Sequence, residues 1–266
     1  MNATMMNIAL IYADRLEFEN LYARRDERLD LIEAAIRHHG FNVTRIDRKS
    51  LPDSLEEFDL VVAAGGDGTQ LDAAVRLQTK PLCAVRLFPE KSVGYHCTID
   101  YTGIDAFMNA LSNHSHRTIK VPRLQALLDG TPVAKPVLND ILVAHPCPAR
   151  ASKYAIQFNG VSETHCSSGI WIATPPGSHG AAHSAGTIPI DDTAAEMAVF
   201  QVRELASPNA ALKSCRFIPD KDSLEIQCLG TPLMLWFDGG IQSVPFMKGQ
   251  TLTFSYQACP LAKWTL

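Results

Sequence analysis

The 266-residue sequence lacks most of the features that would take it out of the ordinary globular class. No CxxC pair occurs among its seven cysteines, Cys83, Cys97, Cys147, Cys166, Cys215, Cys228 and Cys259, which are odd in number and widely scattered. A disulfide framework or a zinc site needs paired spacings, so reduced and mostly buried thiols are expected instead. No apolar run approaches the roughly 20 residues that span a bilayer, and no membrane partner is expected. Residues 1–25, MNATMMNIALIYADRLEFENLYARR, have neither a basic n-region nor a sustained apolar stretch, and Asp14, Glu17 and Glu19 do not suit a transit peptide. The expected location is therefore cytoplasmic. An excess of positive charge is also missing: 24 Lys and Arg stand against 28 Asp and Glu. That balance gives no footprint for a nucleic acid, so any phosphate must be gripped locally. What is present is 46% hydrophobic residues, enough to fill one large core or two modest ones.

Through about residue 118, short apolar runs alternate with helical spacing, the pattern of βαβ units on a parallel sheet. Strands are expected at 7–13, 41–47, 59–65 and 81–87, and helices at 26–40, 68–77 and 103–114. Leu29, Ile32, Ala35 and Ile36 mark the buried side of the first helix, and Gly40 its stop. Beyond residue 118 alternating β-branched and aromatic runs favour antiparallel strands, at 153–158, 169–174, 223–229, 232–237 and 251–257. One segment, AAEMAVFQVREL (194–205), reads as a helix. The fold class is α/β: an N-terminal parallel-sheet domain (1–118) followed by a β-rich, sandwich-like domain (119–266), whose C-terminal tail can pack back on the first.

The stretch VVAAGGDGTQLDAA (61–74) puts Gly65, Gly66, Asp67, Gly68 and Thr69 between a strand and a helix. In an open parallel sheet such a turn faces the crevice where ligands bind. Glycines allow positive φ and let backbone N–H groups reach a phosphate, and the helix N-terminus adds partial positive charge. The motif is neither GxxxxGK[ST] nor GxGxxG. Asp67 has two readings here, the polar tip of a bend or a carboxylate that accepts a proton from an attacking hydroxyl.

Four other segments carry polar groups that ask for explanation. VLNDILV (137–143) sets Asn139 and Asp140 in an apolar run, where unpaired polar groups are costly. The pair suits an adenine edge and ribose hydroxyls, or a strand end with satisfied hydrogen bonds. IATPPGSHGAAHSAG (172–186) offers Thr174, Gly177, Ser178 and glycine N–H groups for phosphate or ribose contact, a composition shared by surface loops. His179 and His183 have a metal-ligand spacing if that segment is helical, but no third ligand accompanies them, so no protein-held metal site is assigned. Asp238 ends an apolar strand in LWFDGG (235–240), as a turn or as a site residue. Lys91, in FPEKSVGYHC (88–97), follows the fourth strand and could neutralise a nucleotide phosphate or stay solvated.

In order and spacing, GGDGT (65–69), LND (138–140), TPPGS (174–178) and FDGG (237–240) resemble the NAD kinase family over nearly the whole chain. RLEFENL (15–21), FPEKSVGYHC, ARASKY (149–154) and SSGIWIAT (167–174) are similar to its mitochondrial-type branch. The resemblance implies an α/β domain plus a β-rich domain, and Mg²⁺-dependent transfer of the γ-phosphoryl of ATP to the 2'-hydroxyl of the adenosine ribose of NAD or NADH. It implies that Asp67 activates that hydroxyl, that Gly65, Gly66, Gly68, Thr69 and Lys91 serve the ATP phosphates, and that Asn139 and Asp140 hold the adenosine. Ser168, Thr174, Gly177, Ser178, His179 and Asp238 complete the NAD contacts, in a homodimer or homotetramer. One departure stands out: most members read TPTGSTAYSLSAGG, and here Ala181 takes the place of the tyrosine. A stacking face is missing there, which leaves the acceptor's identity open. A lipid kinase and a non-catalytic nucleotide-binding regulator are the alternative readings.

Overall fold

The computed structural model describes residues 5–13, 22–191, 194, 196–204, 209–256 and 260–266. Cys259 and the RLEFENL segment lie outside the described residues. The chain divides into two compact units, Met1–Val121 with Cys259–Leu266, and Pro122–Ala258.

The first unit begins as β1 (Asn7–Tyr12), α1 (Tyr22–His38), β2 (Asn42–Asp47), β3 (Leu60–Gly65), α2 (Asp67–Ala74), β4 (Leu82–Arg86), β5 (Ile99–Asp100), α3 (Ile104–Ser112) and β6 (Arg117–Val121). Strands β1, β2, β3 and β4 are parallel, with β5 alongside β4. The LVVAA of β3 is buried at every position, as a strand covered on both faces must be. Leu29, Ile32 and Ile36 of α1 pack with Phe107, Met108 and Leu111 of α3 against Leu10, Val62 and Val85 of the sheet. Gly40, at φ 80, closes α1, in the left-handed conformation that glycine adopts at no steric cost.

The second unit holds β7 (Leu124–Leu128), β8 (Thr131–Pro132), β9 (Asp140–Ala144), β10 (Ser152–Phe158), β11 (Val161–Ser167), β12 (Ile170–Ala173), α4 (Ala181–Ser184), β13 (Ala198–Val202), β14 (Ser214–Phe217), β15 (Leu224–Cys228), β16 (Leu233–Phe237), β17 (Gln242–Phe246) and β18 (Thr251–Tyr256). They form two antiparallel six-stranded sheets, β11-β10-β15-β18-β7-β8 and β14-β13-β12-β9-β16-β17. A single core joins their inner faces, with Tyr154, Ile226 and Phe254 from one sheet meeting Ile172, Phe200 and Phe237 from the other. The chain then returns to the first sheet. Strand β19 (Leu261–Thr265) lies parallel to β4 and antiparallel to β6, giving the order β2-β1-β3-β4-β19-β6.

One sequence expectation is corrected. Within 194–205, Ala198–Val202 is not helical but is β13, paired to β12 and β14 and buried at all five positions. Phe200 points into the sandwich core, and Val199 packs on the other face with Ala182 and Ile190. A strand buried on both faces is a continuous apolar run, which periodicity alone does not separate from a buried helix.

Candidate functional site

The GGDGT turn joins β3 to α2, and three of its glycines are there for room rather than handedness. Gly65, Gly66 and Gly68 are not among the positive-φ glycines. A Cβ on Gly65 would lie 2.3 Å from Thr69 Oγ1, one on Gly66 2.9 Å from Ser92 Oγ, and one on Gly68 3.1 Å from Arg48 Nη1. Thr69 is itself buried beneath the turn. Gln70 bolts the helix to the sheet, its side-chain amide donating to the Ala63 carbonyl at 2.9 Å. Arg48 pairs with Asp72 on the same helix.

Asp67 opens α2, where the free N–H groups of the first turn favour a negative charge. Its Oδ1 accepts the backbone N–H of His96 at 2.8 Å. No hydrogen bond from a described residue reaches Oδ2, so that oxygen is open to a proton. The carboxylate is thus a held group with a working lone pair.

The loop after β4 brings Ser92 and His96 to this turn, with Lys91 next to Ser92 in the chain. Lys91 is exposed and its N–H donates to the Phe88 carbonyl at 3.0 Å. Arg28 pins the start of the loop: it lies over the rings of Phe88 at 4.8 Å and Tyr101 at 4.3 Å, and donates to Glu90 at 3.0 Å. That hydrogen bond is the main reason the Glu90 carboxyl sits down at about 2. Ser92, His96 and Arg28 were not legible as site residues, because only the fold carries them to the turn.

In the second unit Asn139 and Asp140 sit where the chain enters β9. The buried Asp238 carboxylate organises them: Oδ2 accepts Leu138 N–H at 3.0 Å, and Oδ1 accepts those of Asn139 at 2.7 Å and Asp140 at 3.2 Å. Thr174, fully buried, donates from Oγ1 to the Leu138 carbonyl at 2.7 Å, and its N–H donates to the Asn139 carbonyl at 3.0 Å. A Cβ on Gly177 would fall 1.9 Å from Asn139 O, so only glycine lets the TPPGS loop close on the Asn-Asp segment. Ser178 donates to the Pro175 carbonyl at 2.7 Å and accepts Ile190 N–H at 2.8 Å. The structure therefore uses the Thr174, Ser178 and Asp238 side chains to build this site's frame.

Asp140 is the exception in that frame. Its Oδ2 accepts the Asn139 amide at 3.2 Å, but its Oδ1 is buried with no hydrogen-bond partner. Burial, and then the neighbouring Asp238 charge, push its carboxyl from an ordinary 3.8 up to about 7. Because the folded chain holds this proton more tightly than the unfolded chain, the stability it contributes is full below about pH 4. It is lost as pH rises through about 7. Urea unfolding from pH 4 to 8 should show that decline, and Asp140→Asn should flatten it; an unchanged slope in the variant would place its source elsewhere.

Two expected residues fall differently. His179 ends a short 3₁₀ turn and donates to the Ile190 carbonyl at 3.2 Å, whereas His183 lies in α4 with its Nδ1 3.0 Å from the Thr187 carbonyl. The single helix that would align them as metal ligands is not formed. Ser168 precedes β12 while Thr174 follows it, and an extended chain at about 3.3 Å per residue sets them about 20 Å apart. Ser168 donates instead to Glu204, beside a cavity of about 380 Å³ lined by Trp171, Trp236 and Arg203. Ala181, at the start of α4, presents no ring.

No family model matches the chain. A protein of Oryza sativa subsp. japonica named "Probable NADH kinase" is 26% identical over 261 residues, covering 89% of this chain and 80% of that protein. Among solved structures, an NAD kinase from Archaeoglobus fulgidus in complex with ATP superposes with a TM-score of 0.73 at 22% identity, over 97% of this chain and 93% of that one. Yeast NADH kinase complexed with NADH gives 0.77 at 16% identity, over 100% and 84%. The chain shares with these solved structures a parallel α/β unit, which here presents GGDGT, and a β-sandwich unit, which here presents a framed Asn-Asp pair. In sequence and in fold the chain is similar to NAD and NADH kinases.

Proposed function

We propose that the chain transfers the γ-phosphoryl group of ATP, with Mg²⁺, to the 2'-hydroxyl of the adenosine ribose of NAD or NADH, forming NADP or NADPH. The observation that carries this reading is Asp67: a carboxylate at a helix N-terminus after a parallel strand, oriented by His96 N–H through one oxygen and open at the other. A ribose hydroxyl is a weak nucleophile at neutral pH. Asp67 accepts its proton as the oxygen attacks phosphorus, and the proton then rests on Oδ2.

The backbone of Gly65, Gly66 and Gly68, at the positive end of α2, supports the donor phosphates, with Lys91 as a cation for them. Among the described residues no group of three or more His, Cys, Asp or Glu side chains could hold a metal. That donor set suits a magnesium ion carried mainly by phosphate oxygens, whose chemistry is to neutralise charge on the transferring group. Asp140, with its unsatisfied Oδ1, and Asn139 hold the adenosine; Gly177 supplies the close approach, and Thr174, Ser178 and Asp238 keep the frame. His179 and Ser168 belong to the same reading as dinucleotide contacts, within a homodimer or homotetramer located in the cytoplasm. No helix among the described residues is long and apolar enough to cross a membrane.

The rice relative carries NADH in its name, so both oxidation states belong in the assay. Neither a lipid acceptor nor a non-catalytic regulator is favoured by these relatives. Incubation with ATP, Mg²⁺ and NAD or NADH, with the product read by an NADP-specific dehydrogenase, should yield product well above an Asp67→Asn control. Product at the control's level with both acceptors would refute the proposal.

A further inference from the structure

The hydrogen bond that orients Asp67 does not come from the GGDGT motif. It comes from His96, and His96 is held in turn by the far end of the chain. Lys263, in β19, is only 5% exposed, and its ammonium donates to the His96 carbonyl at 3.0 Å. Two residues on, Thr265 donates from Oγ1 to the Thr98 carbonyl at 3.3 Å. Alternate residues of a strand share a face, so 263 and 265 meet 96 and 98 in register. From the other side Thr98 N–H donates to the Ala84 carbonyl of β4 at 2.8 Å. Residues 96–98 are thus clamped between β4 and β19.

Charge marks the same cluster. The Cys97 thiol is pushed up to about 12, chiefly by burial and then by the Asp67 charge, with Lys263 and Arg86 opposing. The ammonium and the carboxylate therefore act on the same thiol with opposite sign. A buried lysine is costly, and a methionine would fill the space without desolvating a charge.

We propose that Lys263 is a positioning residue for Asp67: by fixing the His96 carbonyl it fixes the His96 N–H that orients the carboxylate. The inference rests on the kinase reading above, in which Asp67 takes a proton. A carboxylate released from this bond turns about its own side-chain torsions, and a displacement of about 1 Å in a reacting group costs on the order of 100-fold in rate.

The test compares Lys263→Met and Lys263→Arg with wild type in two readouts: steady-state kinetics with ATP and NAD, and hydrogen exchange at the His96 amide. Lys263→Met should lower kcat by about 10-fold to 100-fold with KM changed less than about 3-fold. Its His96 amide should exchange at least about 10-fold faster while the amides of β3 keep their protection. Lys263→Arg, which keeps a cationic donor, should recover part of both. On an Asp67→Asn background the same substitution should lower kcat no further. Wild-type kcat and wild-type His96 exchange in Lys263→Met would overturn the proposal, as would an equal loss of kcat on the Asp67→Asn background. If Lys263→Met does not fold, Lys263→Gln carries the same comparison with a shorter donor. The exchange arm needs no turnover: a protein that makes no NADP yet shows the exchange response refutes the kinase reading and keeps the clamp.

Discussion

Asp67→Asn is expected to lower kcat for NADP formation by about 100-fold to 10,000-fold, the range for removing a general base. The substitution is close to isosteric. The amide oxygen still accepts the His96 N–H that now reaches Oδ1, so α2 and the loop after β4 keep their positions. What is lost is the carboxylate oxygen that could take a proton, since an amide nitrogen has no lone pair to offer at neutral pH. Binding should therefore change little, and the loss should fall on kcat rather than on KM for either nucleotide. Initial rates measured with an NADP-specific dehydrogenase, alongside a urea midpoint to show an intact fold, provide the check. A variant that turns over like wild type would return Asp67 to the role of a turn residue.

Asp238→Ala should be strongly destabilising to the second unit. The carboxylate is 3% exposed and accepts three backbone N–H groups, from Leu138, Asn139 and Asp140. Alanine leaves all three without their acceptor, and each buried unsatisfied group costs about 1 to 3 kcal/mol. A loss on the order of 3 to 9 kcal/mol is a large share of the roughly 5 to 15 kcal/mol by which domains are stable. Asp238 also sits at φ 47, ahead of Gly239 at φ 70 and Gly240 at φ 91, a tight bend whose carboxylate is aimed back at the Asn-Asp segment. Removing its charge relieves Asp140, whose proton should then leave at lower pH. Urea unfolding at pH 7 reads the stability, and carboxyl NMR titration reads Asp140. A loss below about 1 kcal/mol would mean that the three N–H groups find other partners.

The GGDGT turn and the framed Asn-Asp segment differ in how far they could be read from sequence. GGDGT was legible because its chemistry is local: strand, close-approach glycines, carboxylate and helix follow one another in the chain. Asp238 was not legible as a frame residue, because its partners lie about a hundred residues earlier and meet it only when β16 pairs with β9. Ser178 and Thr174 looked like ligand donors on composition, and only the closed loop shows that their hydroxyls bond to neighbouring backbone.

The sequence by itself determined the alternation of a parallel half and an antiparallel half, the turn that carries Asp67 and the order of the motifs along the chain. Each of these is written in short-range spacing, which periodicity and turn chemistry read directly. Only the tertiary structure decided that 198–202 is a strand, that Asp140 is a buried carboxyl with an unsatisfied oxygen, and that β19 delivers Lys263 to the loop holding Asp67. The physical reason is common to all three: burial on a second face, desolvation and a hydrogen bond across 167 residues depend on what packs against a segment, and no local pattern encodes that partner.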